Sequence, residues 1–396
     1  MVLGGKAMQA VGVVAEFNPL HNGHVFALQV ARRRAAADVV VVVMSGNFVQ
    51  RGAPAILDKW TRTRLALTAG ADLVVELPVY DAVQSGNQFA AGALAQLSAL
   101  GVSQLAFGTE APELDYAQLA ERMHAMMGQR RDEFHDYTQT YASQLAAAMT
   151  AVTGHAVKAP NQMLGVSYAM ANLALTHPLT LLPFGRAGVD HDAAKPQAVA
   201  GTTMASASAI RERVHAGADV RALVPAATAT ALRQGPILAW RQLWPLLRYR
   251  LQTASLDELA TIDQATEGLE HRLRAAAIGA HDFDDLLRRA KSKRYTYARL
   301  RRLALAITLN LRHGDVVAAR RQRNVHILGF NAVGRAYLKQ VKKQAPLPLV
   351  SRVSRDMLKP DGSFDLIDRA DALISTLTGY EQNYGRVPIM EDLNNA

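Results

Sequence analysis

Apolar and polar positions through roughly the first half of the chain follow two alternating rhythms. Short β-branched runs, VGVVAE (11–16), DVVVVVM (38–44), ADLVVELP (71–78) and VSQLAFGTE (102–110), read as strands. Between them, HVFALQVARRRAA (24–36), LDKWTRTRLALTAG (57–70) and NQFAAGALAQLSALG (87–101) carry the spacing of one apolar helix face. Arginines close the first of these helices, where positive charge suits the C-terminal end of the dipole, and Gly70 ends the second. The nearly pure valine run predicts a strand covered on both faces, as in a parallel sheet. Strand and helix alternating at this spacing predict right-handed βαβ crossovers.

From 111 to 175 the pattern becomes mostly helical, and PLTLLPFGR (178–186) reads as a further strand, followed by a loop with Asp190, His191 and Asp192. ASASAIRERVHAG (205–217) has the look of a serine-capped helix start. Beyond 218 nearly every periodic stretch is helical, and Pro225 with Gly235 and Pro236 marks a plausible linker. The expected fold is therefore α/β, a doubly wound parallel sheet followed by a mostly helical C-terminal domain. The boundary is expected to separate residues 1–217 from 218–396.

Composition narrows the class. The 396 residues are 49% hydrophobic and 20% charged, the balance of a soluble globular protein long enough for two domains. No apolar run reaches the roughly 18–20 residues that span a bilayer, and the N-terminal stretch carries no hydrophobic signal segment, so no membrane partner and a cytoplasmic location are expected. The chain has no cysteine, which removes disulfides, thiolate nucleophiles and zinc–thiolate sites. A formal charge of +10, with the basic excess concentrated beyond about residue 210, favours a polyanionic partner.

The densest chemistry lies in AEFNPLHNGHVFALQVAR (15–32), where the first strand hands over to the first helix. Ligands of open α/β sheets bind beyond the carboxyl ends of the strands, and a helix N-terminus offers free N–H groups to an anion. His21 and His24, three apart, fall on one side of the first helical turn, and Gly23 between them lets backbone come close to a ligand. Asn18 and Pro19 fix the loop ahead. By themselves two such histidines could also be a polar cap, or part of a metal site that lacks a third ligand. No metal-binding residue is assigned. GxxxxGK[ST] and GxGxxG patterns are absent, which removes P-loop and dinucleotide readings.

EFNPLHNGH (16–24) resembles the ATP-binding signature of the tRNA(Met) cytidine acetate ligase family, a branch of the HxGH nucleotidyltransferase-like superfamily. Further segments match that family in order: GNFVQRGAPAILDKWTRTRLAL (46–67), GADLVVELP (70–78), FAAGAL (89–94), LAFGTE (105–110), APNQMLGVSY (159–168), SASAIR (206–211) and KRYTYARLRR (293–302). Leu20 stands where the family usually has Phe, and Ala27 where a polar or histidine residue is common. The resemblance implies an ATP-dependent ligase that forms acetyladenylate from ATP and acetate. The acetyl group then passes to N4 of the wobble cytidine of elongator methionine tRNA. It also implies ATP contacts along Val14, Ala15, Glu16, Phe17, Asn18, Pro19, Leu20, His21, Asn22, Gly23 and His24, and at Gly108, Asn161, Arg186, Ser206 and Ser208.

Catalysis in that reading falls to His21, His24 and Arg186, by positioning and charge stabilisation, with Mg²⁺ as counter-charge to the triphosphate. Gln50 and Arg51, in the long loop after the second strand, could face nucleotide or acyl group, with Asp58, Lys59 and Arg62 at the next helix start. RRAKSKRYTYARLRR (288–302) has eight basic residues, no acidic ones and two tyrosines. Lys291, Lys293, Arg294, Arg299, Arg301 and Arg302 could follow an RNA backbone, and Tyr295 or Tyr297 could stack on a base; a solvated helix face is the plainer reading. Arg320, Arg321, Arg323, Lys339, Lys342 and Lys343 extend the basic character. Two other functions remain open on the residues alone: a nucleotidyltransferase that adenylylates a small molecule, and a non-catalytic nucleotide-responsive RNA-binding protein. No obligate protein partner is expected.

Overall fold

A computed structural model describes residues 7–129, 141–154, 159–186, 197–199 and 202–391. The loop with Asp190, His191 and Asp192 lies outside them. The elements that position the site are, in chain order, β1 (Ala10–Ala15), α1 (Asn22–Arg34), β2 (Val39–Ser45), α2 (Lys59–Thr68), β3 (Leu73–Leu77), α3 (Gly86–Ala99), β4 (Gln104–Thr109), α4 (Pro160–Asn172), β5 (Thr180–Gly185), α5 (Ala207–His215), α6 (Ala226–Gln234), α7 (Trp240–Thr253), α8 (Tyr297–Thr308), β6 (Val325–Asn331), β7 (Leu349–Val350), α9 (Asp365–Thr378) and β8 (Ile389–Glu391).

The sheet runs β7-β6-β3-β2-β1-β4-β5, with β8 also on β6. Strands β3-β2-β1-β4-β5 are all parallel. The chain winds outward from β1 to β3, then crosses to β4 on the other side, so β1 and β4 flank the topological switch point where such sheets bind ligands.

The valine run is divided between the two faces of the sheet. Val39, Val41 and Val43 pack with Phe89, Leu97 and Val166 on one side. Val40, Val42 and Met44 pack with Leu28, Leu65 and Ile210 on the other. Every residue of β2 is buried, which is why the run needs no polar alternation. Each such valine contributes about 1.5–3 kcal/mol of burial. Gly12 on β1 lets α3 close down, since a Cβ there would come within 2.6 Å of Leu97.

The C-terminal portion departs from the expectation in two ways. Residues 218–234, expected near a linker, bury Val220, Leu223, Val224 and Leu232 in the same core as α1 and α2. Val325–Asn331, within the stretch read as helical, is a strand that pairs antiparallel with β3, making the sheet mixed. VHILGFN is apolar on both sides, and Val325, Ile327 and Leu328 are buried against the sheet's two cores. Helices between these segments form a third core of Leu243, Leu247, Leu273, Phe283, Leu303 and Ile307, which also takes Val79, Tyr80 and Val83 from beyond β3.

A buried polar cluster ties this third layer to the sheet. Lys59 Nζ bonds Glu76 Oε2 at 2.9 Å, Asp371 Oδ2 at 2.7 Å and Asn383 Oδ1 at 2.8 Å. His326 Nδ1 lies 2.6 Å from Glu76 Oε2. Arg62, fully buried, donates to the carbonyls of Glu16, Ser45 and Gly46 at the carboxyl ends of β1 and β2. Lys59 and Arg62 are therefore framework residues beneath the site, and Asp58 is the N-cap of α2, accepting from Trp60 N and Thr61 N.

Candidate active site

His21 is the N-cap of α1, and the two histidines lock each other in place. His21 Nδ1 accepts from Gly23 N at 3.1 Å, and His24 Nδ1 accepts from His21 N at 3.3 Å. The rings stack with centroids 3.7 Å apart and 27° between planes. A nitrogen that accepts from a backbone N–H carries no proton, so in the neutral rings the proton sits on Nε2 of each. Burial first, then the charge of Arg186, pushes the His24 pKa down to about 3. Burial, His24, Arg186 and Arg211 together hold His21 well below its ordinary range. Two neutral imidazoles thus keep one N–H donor each at a helix start, where α1 presents its own free backbone N–H groups.

The loop before them is fixed from below. Asn18 Oδ1 accepts from Ile56 N at 2.8 Å, and Asn18 O accepts from Arg211 Nη1 at 2.7 Å. Phe17, at φ +47°, sets its ring edge-on to His24 at 5.0 Å. Phe17, Asn18, Pro19 and Leu20 are buried, whereas Val14, Ala15, Glu16, Asn22, Gly23 and the two histidines are half-buried. Of the contiguous signature, the side chains of Phe17 and Leu20 belong to the core. Asn22 Nδ2 donates to Thr203 O and Ala222 O, pinning the helix start to the segment around α5. A Cβ on Gly23 would lie 2.9 Å from the His21 ring, so this glycine is also what lets the imidazoles stack.

The residues predicted at the ends of β4 and β5 come together around Glu110, which sequence reasoning did not single out. Glu110 Oε1 accepts from Asn161 Nδ2 at 2.6 Å and lies 3.3 Å from Arg186 Nη1; Oε2 accepts from Gln162 N at 2.9 Å. Gly108 makes room for Arg186, whose Cγ would lie 3.2 Å from an added Cβ. Arg186 acts electrostatically on both histidines, so these elements share one site. On α5, Ser206 caps by accepting from Ala209 N, and its hydroxyl lies 3.1 Å from that of Ser208. Arg211, one turn in beside the serines of SASAIR, is a residue to which the sequence gives a place but no role.

The basic run of 288–302 is largely spent on the protein itself. Arg294 and Arg299 both pair with Glu267, at 3.1 and 3.4 Å. Tyr295 is 6% exposed, donates its hydroxyl to Glu267 O and lies beneath both guanidinium groups. That corrects its expected availability to stack on a base: the ring faces the helical core while the charges beside it face outward. Tyr297 is 46% exposed and carries Lys291 Nζ over its ring at 5.6 Å. Lys293 is exposed, Arg301 lies 3.8 Å from Asp284, and Arg302 donates to Gln264, its pKa lowered by burial to about 10. Arg320 and Arg323 both bind Asp81 and serve the framework.

Comparison with known proteins agrees with this geometry. The HIGH Nucleotidyl Transferase family matches residues 8–386. The tRNA(Met) cytidine acetate ligase of Latilactobacillus sakei is 44% identical over 385 residues, covering 96% of this chain and 97% of that one. The chain belongs to the tRNA(Met) cytidine acetate ligase family. The protein of that name from Lactiplantibacillus plantarum is 44% identical over 383 residues, covering 96% and 98%. Among solved structures, Thermotoga maritima TmcAL without ligand superposes with a TM-score of 0.87 at 27% identity, covering 97% of this chain and all of that one. The same protein bound with alpha-thio ATP gives 0.84 at 28% identity, over 97% and 100%. The α/β architecture and nucleotide-binding character of the family member described here stand on that agreement. No described helix is long and apolar enough to cross a membrane.

Proposed function

We propose that this chain is an ATP-dependent ligase that activates acetate as acetyladenylate and acetylates N4 of the wobble cytidine of elongator methionine tRNA. In the first step an acetate oxygen bonds the α-phosphorus of ATP, the bond to the β-phosphate oxygen breaks, and pyrophosphate leaves. In the second, the cytidine amine bonds the acyl carbon, AMP leaves with the electron pair, and the amine gives up a proton. The acetate oxygen is already a nucleophile, so the first step needs positioning and charge stabilisation rather than a base.

The observation that carries the reading is the locked pair His21 and His24, each with an Nε2–H donor, at a helix N-terminus beside Arg186. Neutral donors bind phosphate oxygens without the cost of burying two cations, and Arg186 adds fixed positive charge where charge builds on the leaving group. In this reading Asn161, Gly108, Ser206 and Ser208 complete the nucleotide site. Residues 1–217 carry the nucleotide chemistry, and the helices after 218 carry most of the RNA surface. Among the described residues no three His, Asp or Glu side chains gather to hold a metal. In this reading Mg²⁺ travels with the triphosphate, whose oxygens it prefers. The proposed location is the cytoplasm.

The test is incubation with ATP, Mg²⁺, radiolabelled acetate and bacterial tRNA, followed by nucleoside analysis. Label in N4-acetylcytidine that disappears with His24→Ala supports the proposal. Acetate-dependent pyrophosphate release without labelled RNA would keep the adenylation step and refute the acceptor.

A further inference from the structure

Four arginines from four separate stretches of chain meet at the mouth of the nucleotide site. Arg51 sits in the turn of a hairpin whose strands, Phe48–Val49 and Ala53–Pro54, pair antiparallel. Gln50 N on one side of it donates to Glu16 Oε1 at 2.8 Å. Gly52 on the other side accepts from Trp240 Nε1 at 2.9 Å and packs against the backbone of Arg301 and Arg302. Trp240 opens α7 and stacks on Phe283 at 3.6 Å, and Arg241 is the next residue along that helix. Arg211 reaches the loop after β1 through Asn18 O, two residues beyond Glu16.

Arg51 and Arg301 act on Arg211, and Arg241 acts with Arg211 on His215. Burial holds the Arg211 guanidinium below its ordinary range; Glu16 opposes this, and Arg51 and Arg301 add to it. His215, on the same helix, is lowered by burial, then by Arg241 and Arg211. Glu16 and Glu212 act on Arg211 in the opposite sense, and Asp284 stands 3.8 Å from Arg301. Gathering like charges raises the local potential, a cost that a polyanion removes on binding.

We infer that Arg51, Arg211, Arg241 and Arg301 form a seat for the phosphodiester backbone of the RNA, next to the nucleotide that enters the site. The inference rests on the reading of the chain as an RNA acetylating enzyme. RNA phosphate is favoured over the triphosphate of ATP because Arg241 and Arg301 stand on helices outside the α/β layer, and Arg51 and Arg241 are exposed. The outer face of α7 continues the seat away from the site through exposed Arg248 and Tyr249, the latter 64% exposed and able to stack on a base. Within the run at 288–302, Arg301 belongs to this seat, whereas Arg294 and Arg299 pair with Glu267.

The experiment uses the full chain and a methionine tRNA transcript, with RNA affinity measured across a salt series. Arg51→Gln with Arg241→Gln is expected to weaken binding about tenfold or more near 0.1 M salt and to flatten the salt dependence by about one to two counterions. Arg51→Lys with Arg241→Lys should keep the steeper dependence, which guards against a folding effect. Arg33→Gln with Lys359→Gln removes the same charge at two exposed positions elsewhere and should cost little. Equal loss in that control, or weakened ATP binding with RNA affinity intact, would overturn the seat. A wild-type protein that acetylates cytidine while the double glutamine variant binds RNA unchanged fails this inference alone. A wild-type protein that makes no acetylcytidine, yet needs these arginines to hold RNA, fails the enzymatic reading and leaves the seat standing.

Discussion

The Glu110 carboxylate accepts the Asn161 side-chain amide at 2.6 Å, so one residue beyond β4 fixes the first turn of α4. Its other oxygen takes Gln162 N, and Arg186 from the end of β5 stands 3.3 Å away. Burial alone would raise the Glu110 pKa, but the bonds from Asn161 and Gln162 and the charge of Arg186 outweigh it and hold the group below its ordinary range. Glu110 is thus an anion that organises two of the residues assigned to ATP. Glu110→Ala is expected to raise the KM for ATP by about tenfold, the worth of one charge-assisted hydrogen bond, with a smaller change in kcat. Unchanged ATP affinity by calorimetry would remove Glu110 from this role.

The histidine pair predicts a pH dependence of definite sign. An unfolded histidine titrates near about 6.5, while folded His24 holds off protonation until about 3. Between those values the unfolded chain binds more protons, so stability falls as pH drops. His21 and His326, both lowered chiefly by burial, act in the same direction. The urea midpoint should therefore be lower at pH 5 than at pH 7.5, and His24→Gln should make that difference smaller. Two neutral donors need no protonation to hold the triphosphate, so ATP binding at pH 7.5 should leave the proton count of the pair unchanged. Calorimetry in buffers of different ionisation enthalpy reads this directly, and proton uptake by the pair would contradict it.

Much of this was legible because local patterns and tertiary needs agreed. Val39–Met44 could only be a strand buried on both sides, and His21 and His24 stood where a strand meets a helix. Val325–Asn331 was missed because a short, mostly apolar run between helices carries no period that separates strand from helix. Tyr295 was misplaced because a run of charge in sequence hides which way each side chain points on folding. Glu110 and Arg211 stood within recognised segments, yet a carboxylate in a phosphate site, or an arginine bonded to a carbonyl of a distant loop, declares itself only through its partners.

Lys59 marks where stability is concentrated. It is fully buried, and two carboxylates, Glu76 and Asp371, depend on it for neutralisation. Lys59→Met leaves both without their cation and is expected to cost about 3–5 kcal/mol in urea unfolding. Replacing Lys59, Glu76 and Asp371 together by apolar residues of similar volume should recover most of that loss. Burial works against ionisation of Glu76, but Lys59 and His326 hold its pKa down to about 2. That contribution is therefore present above the unfolded value of about 4.3 and fades as pH falls toward the folded one. A small loss in the single variant would show that water reaches the cluster.

Gly52 tests the joint between hairpin and helical layer. Its φ is +73°, and an added Cβ would run into the backbone of Arg301 and Arg302, which cannot swing aside as a side chain could. Gly217 has nearly the same φ, +72°, but nothing within 4 Å of the position its Cβ would take. Both alanine variants incur the left-handed strain of about 1 kcal/mol. Only Gly52→Ala adds overpacking, worth about 1–3 kcal/mol. The difference between the two in urea unfolding isolates the steric part. If Gly52→Ala also pries the hairpin from α8, its RNA affinity should fall further than its stability explains, because Arg51 moves with the turn. Equal losses in the two variants would mean that the hairpin yields freely and that Gly52 does not hold the layers in register.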